Sequence, residues 1–205
     1  MDAASQDLPM FLGPAESEDA RAMLAEQEAG DGYVANYMKV WAWRPDVFAS
    51  YSAMRGGLVE GSALTERDLA VLVSSTASQR GDSYCSLAWG TRLARLSDGE
   101  TAAALLAGGT PAALSPREVA LAAWARHVVR DPNATTAADV ATLRDVGLDD
   151  QTIFEATAFI ALRLMFSTIN DALGAVPDEE LVDKVPAAVR DAVTYGRQPL
   201  STSPR

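Results

Sequence analysis

Apolar residues along this chain recur at the three- and four-residue spacing of amphipathic helices, and alternating runs closed by hairpin turns are scarce. The pattern predicts an all-α protein, a compact helical bundle with helices over about 16–29, 32–43, 46–57, 66–79, 83–97, 99–106, 116–130, 137–146, 150–173 and 186–194. Two starts carry strong caps. Thr65 and Ser115 each place a hydroxyl at the N-cap with a carboxylate, Asp68 or Glu118, three residues later, and Pro116 takes the first helical position of the second. The segments Ala63–Ala70 and Ala113–Ala120, fifty positions apart, share four identities and three conservative pairs in eight residues. Either an internal helix-pair duplication or the common demands of capping accounts for this. Gly108 to Pro111 reads as a turn, and Asp131-Pro132-Asn133 ends the helix before it. The helix over 150–173 is apolar on most sides and is expected at the centre of the core. Arg163 lies inside it, so a carboxylate partner is expected, with Asp68 or Asp171 as candidates. One domain is expected over 16–196, between a mobile segment at 1–15 and a mobile tail at 197–205 that have little to pack.

Composition narrows the function classes. The 205 residues suit one domain, and 17 Lys and Arg against 28 Asp and Glu give a net charge of −11, which repels phosphate backbones and anionic lipid. No nucleic-acid or membrane partner is expected. Residues 1–14 lack the basic and apolar regions of a secretory signal, which gives a cytoplasmic expectation. The longest apolar run, Ala156–Ile169, is short for a membrane span and is interrupted by Arg163. One Cys and one His cannot build an intrachain disulfide or a Cys/His zinc site. EF-hand, Walker A and strand-bound GxGxxG patterns are missing too, so no metal and no cofactor are expected.

The segment Gly81–Gly90 is the most informative. Asp82 is suited to cap a helix that begins at Ser83, which places Cys85 in the first turn, where free N–H groups favour a thiolate. The Asp82 carboxylate opposes this charge. Cys85 and Trp89 share one face, and the neighbours Tyr84, Leu87, Ala88 and Thr91 suit a buried helix. Tyr84, Trp89 and Phe166 are candidate pocket residues, and Trp41, Trp43 and Trp124 either join them or fill plain core. Asp68 is a candidate base or proton relay, or simply the second half of the Thr65 capping box. His127, on a face with Val119 and Ala123, has no evident tie to Cys85.

The order of Leu64-Thr65-Glu66-Arg67-Asp68-Leu69-Ala70, then Tyr84-Cys85, then Leu114-Ser115-Pro116-Arg117-Glu118 and Arg130-Asp131-Pro132 resembles the carboxymuconolactone decarboxylase and alkylhydroperoxidase D superfamily, including its peroxidase-related branch. The resemblance spans about residues 32–180 and implies an all-helical fold, a homo-oligomer and, in the active peroxidases, a Cys-x-x-Cys-x-x-x-His site with an upstream Glu. On that motif the peroxide-attacking cysteine falls on Cys85. The resolving cysteine falls on Asp82, the histidine on Trp89, and the upstream acid most nearly on Asp68, with about two extra residues between. Asp cannot form a disulfide and Trp cannot relay a proton, so the dithiol cycle is expected to be absent. Three activities stay open. They are a small-hydroperoxide reductase in which Cys85 is resolved by an external or intersubunit thiol, a non-redox scaffold for an apolar ligand or partner, and cofactor-independent decarboxylase or lactone chemistry.

Overall fold

The computed structural model describes residues 10–199, which form eleven α-helices and, among the described residues, no strand. The expected ends at 1–9 and 200–205 lie outside the described residues. Both capping boxes close. Thr65 starts α4 (Glu66–Arg80) and Ser115 starts α7 (Pro116–Arg130), each hydroxyl accepting the N–H of the third helical residue while that residue's carboxylate accepts the cap's own N–H. The helices α1 (Glu18–Asp31), α2 (Asn36–Trp41) and α3 (Pro45–Val59) precede them. Between lie α5 (Ser83–Leu96) and α6 (Gly99–Leu106), and α8 (Ala137–Asp145), α9 (Asp150–Ala172), α10 (Glu179–Val182) and α11 (Ala187–Ala192) follow.

The helix expected over 32–43 is shortened because Gly32 takes a left-handed φ of 81° and closes α1. The short helix α10 has no counterpart in the sequence pattern.

The centre of the bundle is α4 rather than α9. Residues Asp68–Ala77 are all buried, and α4 packs against α5, α6, α7 and α9. Its polar run Ser74-Ser75-Thr76 disguises this on hydropathy alone, although Thr76 Oγ1 donates to the Leu72 carbonyl at 2.8 Å and so adapts to an apolar setting. The 23-residue α9 is long and apolar enough to cross a membrane by length and composition. Here it packs on α3, α4 and α7 while Phe154 and Met165 on its outer face are exposed.

Helices α4 and α7 meet through a reciprocal exchange. Arg67 bonds the Glu118 carboxylate (2.5 Å) and the Ala113 carbonyl (2.8 Å), while Arg117 bonds the Asp68 carboxylate (3.2 Å) and the Ala63 carbonyl (3.0 Å). These are equivalent residues of the two similar segments, so the contact has local twofold symmetry. Capping demands alone do not produce crossed arginines, which favours duplication of a helix pair.

The described part of the N-terminal segment makes contacts with the helices. Met10 is buried against Val40 and Ala175, and the Phe11 N–H donates to the Leu173 carbonyl at 2.8 Å. At the other end the Arg197 carbonyl accepts from Ser83 Oγ at 2.6 Å. Met10 gives this segment something to bury after all, while Phe11 stays exposed.

Candidate active site

Gly81, with φ of 80°, ends α4 in a left-handed turn that a side chain would resist, and Asp82 then caps α5. Asp82 Oδ1 accepts the Cys85 N–H at 2.9 Å and Oδ2 accepts the Ser167 hydroxyl of α9. Cys85 thereby sits in the first turn of α5 with its side chain facing α9. The residue is 3% exposed, and its Sγ accepts from Arg163 Nη2 at 3.0 Å and lies 3.9 Å from Ser167 Oγ.

Arg163 does not have the expected partner. Asp68 bonds Thr65 and Arg117, and neither it nor Asp171 lies within ion-pair distance of the Arg163 guanidinium. Instead Arg163 Nη1 donates to Tyr51 Oη at 3.3 Å, the guanidinium lies 4.7 Å from the Phe166 ring centroid and 5.6 Å from that of Trp89, and Nε has no partner among the described residues. Aromatic faces replace the carboxylate because their negative π-clouds attract a cation without adding a formal charge.

Cys85 and Arg163 border a cavity of about 200 Å³. Tyr84, Trp89 and Phe166 line it, as do Tyr37, Tyr51 and Phe48. Tyr51, Phe166 and the more deeply placed Trp41 stack with centroids 5.5 to 5.6 Å apart, and Trp41 Nε1 is satisfied by Asn170 Oδ1 at 2.9 Å. Arg55 and Ser52 of α3 complete the rim. Trp89 lies between Arg163 and Arg92, the latter 5.1 Å from its centroid.

The remaining tryptophans do not join this cavity. Trp43 is half exposed and donates to the Gly13 carbonyl at 3.2 Å, while Trp124 donates to Thr157 Oγ1 at 3.0 Å in the core. His127 faces Asp139 of α8 across 3.6 Å beside a separate small cavity, and no hydrogen bond links it to Cys85. Asp68 does not line the Cys85 cavity, and its two bonded partners give it an architectural place at the α4–α7 contact.

Burial pushes the Cys85 thiol up, the Asp82 charge pushes it further, and Arg163 and the Ser167 hydroxyl act in the opposite direction. The resting group is a thiol held between a carboxylate and a guanidinium. Asp171, one turn beyond Ser167 on α9, is raised to about 6, by burial first and by Asp82 second. Among the described residues no three His, Cys, Asp or Glu side chains gather in a metal-binding group.

The eleven helices of the described residues take the all-α fold of the alkylhydroperoxidase AhpD core. Its solved representatives include a peroxidase-related protein from Ralstonia eutropha with that core, to which the chain is 23% identical with a TM-score of 0.75, over 87% of this chain and 98% of that one. A peroxidase-related protein from Silicibacter is similar at 22% identity and a TM-score of 0.73, covering 84% and 94%. The debrominase Bmp8 shares the fold at 15% identity and a TM-score of 0.65, covering 91% and 96%. No family model and no curated protein matches the sequence.

Proposed function

We propose that this protein reduces a small hydroperoxide at Cys85 and is returned to the thiol by an external small-molecule thiol. The observation that carries this is the Arg163 guanidinium 3.0 Å from a sulfur that borders a cavity. A cation there stabilises the charge that sulfur and the departing oxygen share as the O–O bond breaks. In the first step sulfur attacks the peroxide, an S–O bond forms, the thiol proton leaves with the alkoxide as an alcohol, and Cys85 becomes a sulfenic acid. One external thiol then gives a mixed disulfide and water, and a second releases its disulfide and restores Cys85. The Asp82 charge keeps the proton on sulfur before attack, a different task from the resolving cysteine whose motif position it occupies. The AhpD-type fold of the neighbours agrees with this assignment.

Self-association belongs to the same proposal, supported by the exposed Met54 of α3 and the exposed Phe154 and Met165 of the adjoining α9. A non-redox role as a binder of a small apolar ligand is favoured by one observation, the upward shift of the buried thiol. Hydroperoxide consumption separates the two. It is expected to require an added thiol and to vanish in Cys85→Ser, and consumption at the same rate in that variant overturns the peroxidase proposal.

A further inference from the structure

The cavity beside Cys85 has a polarity that hydroperoxide reduction does not by itself require. Arg163 is 4% exposed, its Nε–H has no partner, and no carboxylate lies within 4.0 Å of its guanidinium among the described residues. A second cation, the half-buried Arg55, lines the same cavity and also lacks an ion-pair partner there. Asp82, the acid behind the thiol, commits its two oxygens to the Cys85 N–H and the Ser167 hydroxyl. Two guanidiniums therefore line a space whose remaining walls are mostly aromatic, Tyr51, Trp89 and Phe166 among them. A buried cation with an unused donor is costly unless something anionic meets it.

We infer that this cavity binds a single-ring aromatic carboxylate, its carboxylate on Arg163 and Arg55 and its ring among Tyr51, Trp89 and Phe166. Guanidinium donors match carboxylate oxygens in geometry as well as charge. Size sets the upper limit. A cavity of about 150 Å³ suffices for benzene, so about 200 Å³ holds one ring with a carboxylate. The net charge of −11 repels anions at long range, so the ring has to contribute to binding and small inorganic anions are disfavoured. The inference goes beyond the peroxidase proposal, because it uses the guanidiniums and rings and needs no sulfur chemistry.

Calorimetric titration with benzoate, benzamide and acetate tests it. Benzoate is expected to bind the native protein and Cys85→Ser alike, and at least about tenfold more tightly than the isosteric neutral benzamide or the ringless acetate. Arg55→Met and Arg163→Met are each expected to remove most of the preference for benzoate over benzamide. Benzoate is also expected to slow alkylation of Cys85 in the unmodified protein, a measurement that needs no variant to fold. Equal affinity for benzoate and benzamide, undetectable benzoate binding, or benzoate binding unchanged in Arg55→Met overturns the inference. Because Cys85→Ser is expected to abolish turnover and to spare this binding, failure of either proposal is distinguishable from failure of the other.

Discussion

Arg163 is the group that favours negative charge on Cys85 against burial and Asp82, and removing it has a calculable effect. Arg163→Met keeps an unbranched side chain of similar reach beside Phe166 and Trp89 and deletes the donor 3.0 Å from Sγ. A hydrogen bond from a charged donor contributes about 1.5 to 3 kcal/mol, or about 1 to 2 pKa units. That change adds to the upward push already given by burial and Asp82. Below the thiol pKa each unit lowers the thiolate fraction tenfold, so alkylation of Cys85 by iodoacetamide should slow by about 10- to 150-fold at fixed mildly alkaline pH. The rate-against-pH curve should move to higher pH without changing slope. Replacing a charged group that lacks a carboxylate partner by an apolar one is neutral or stabilising, so the melting temperature should not fall. A folded Arg163→Met protein whose Cys85 alkylates as fast as the native one refutes the assignment of Arg163 as the thiolate's partner.

Asp171 gives a pH-dependent outcome. Its folded pKa of about 6 lies above the ordinary 3.8, so the folded state binds the proton more tightly and stability is lost as pH rises through the window between those values. Asp171→Asn should stabilise by about 1 kcal/mol above about pH 6, after discounting for the residue's partial exposure, and by nothing near pH 3, as read by thermal melts at both ends. Gly90 of α5 lies where an added Cβ would come within 2.7 Å of Leu106 Cδ1 and 2.8 Å of Val189 Cγ1, so Gly90→Ala should cost about 1 to 3 kcal/mol in urea unfolding. The twofold exchange at α4–α7 implies that Arg67→Met and Arg117→Met, which strand the buried Glu118 and Asp68, should destabilise by similar amounts of about 2 kcal/mol each. A cost confined to one of the two would contradict that symmetry.

The helices were legible because their signals are local. Thr65, Asp82, Ser115, Thr136 and Asp149 all accept the N–H bonds of the helix starts they mark, and none of those bonds depends on what lies elsewhere in the chain. Burial was less legible, because hydropathy ranks α9 above α4 while the four helices packed around α4 decide which is enclosed. Cys85 and Asp82 stood out through their place in one turn. Arg163 stood out as a charge in an apolar helix, but its partners Sγ, Tyr51 and Phe166 were not deducible, since sulfur and rings leave no pairing signature and Tyr51 is more than a hundred positions away. The Arg163, Phe166 and Ser167 spacing on one face of α9 was the available clue. Asp68 was ambiguous for the opposite reason, since a capping carboxylate and a proton relay ask for the same residue at the same place.

The most direct test is to expose the reduced protein to one equivalent of a small hydroperoxide with dimedone present and to weigh the peptide that contains Cys85. A dimedone adduct on Cys85, formed in the native protein and strongly reduced in Arg163→Met, is the expected result. An unmodified Cys85 after the hydroperoxide has been consumed would contradict it.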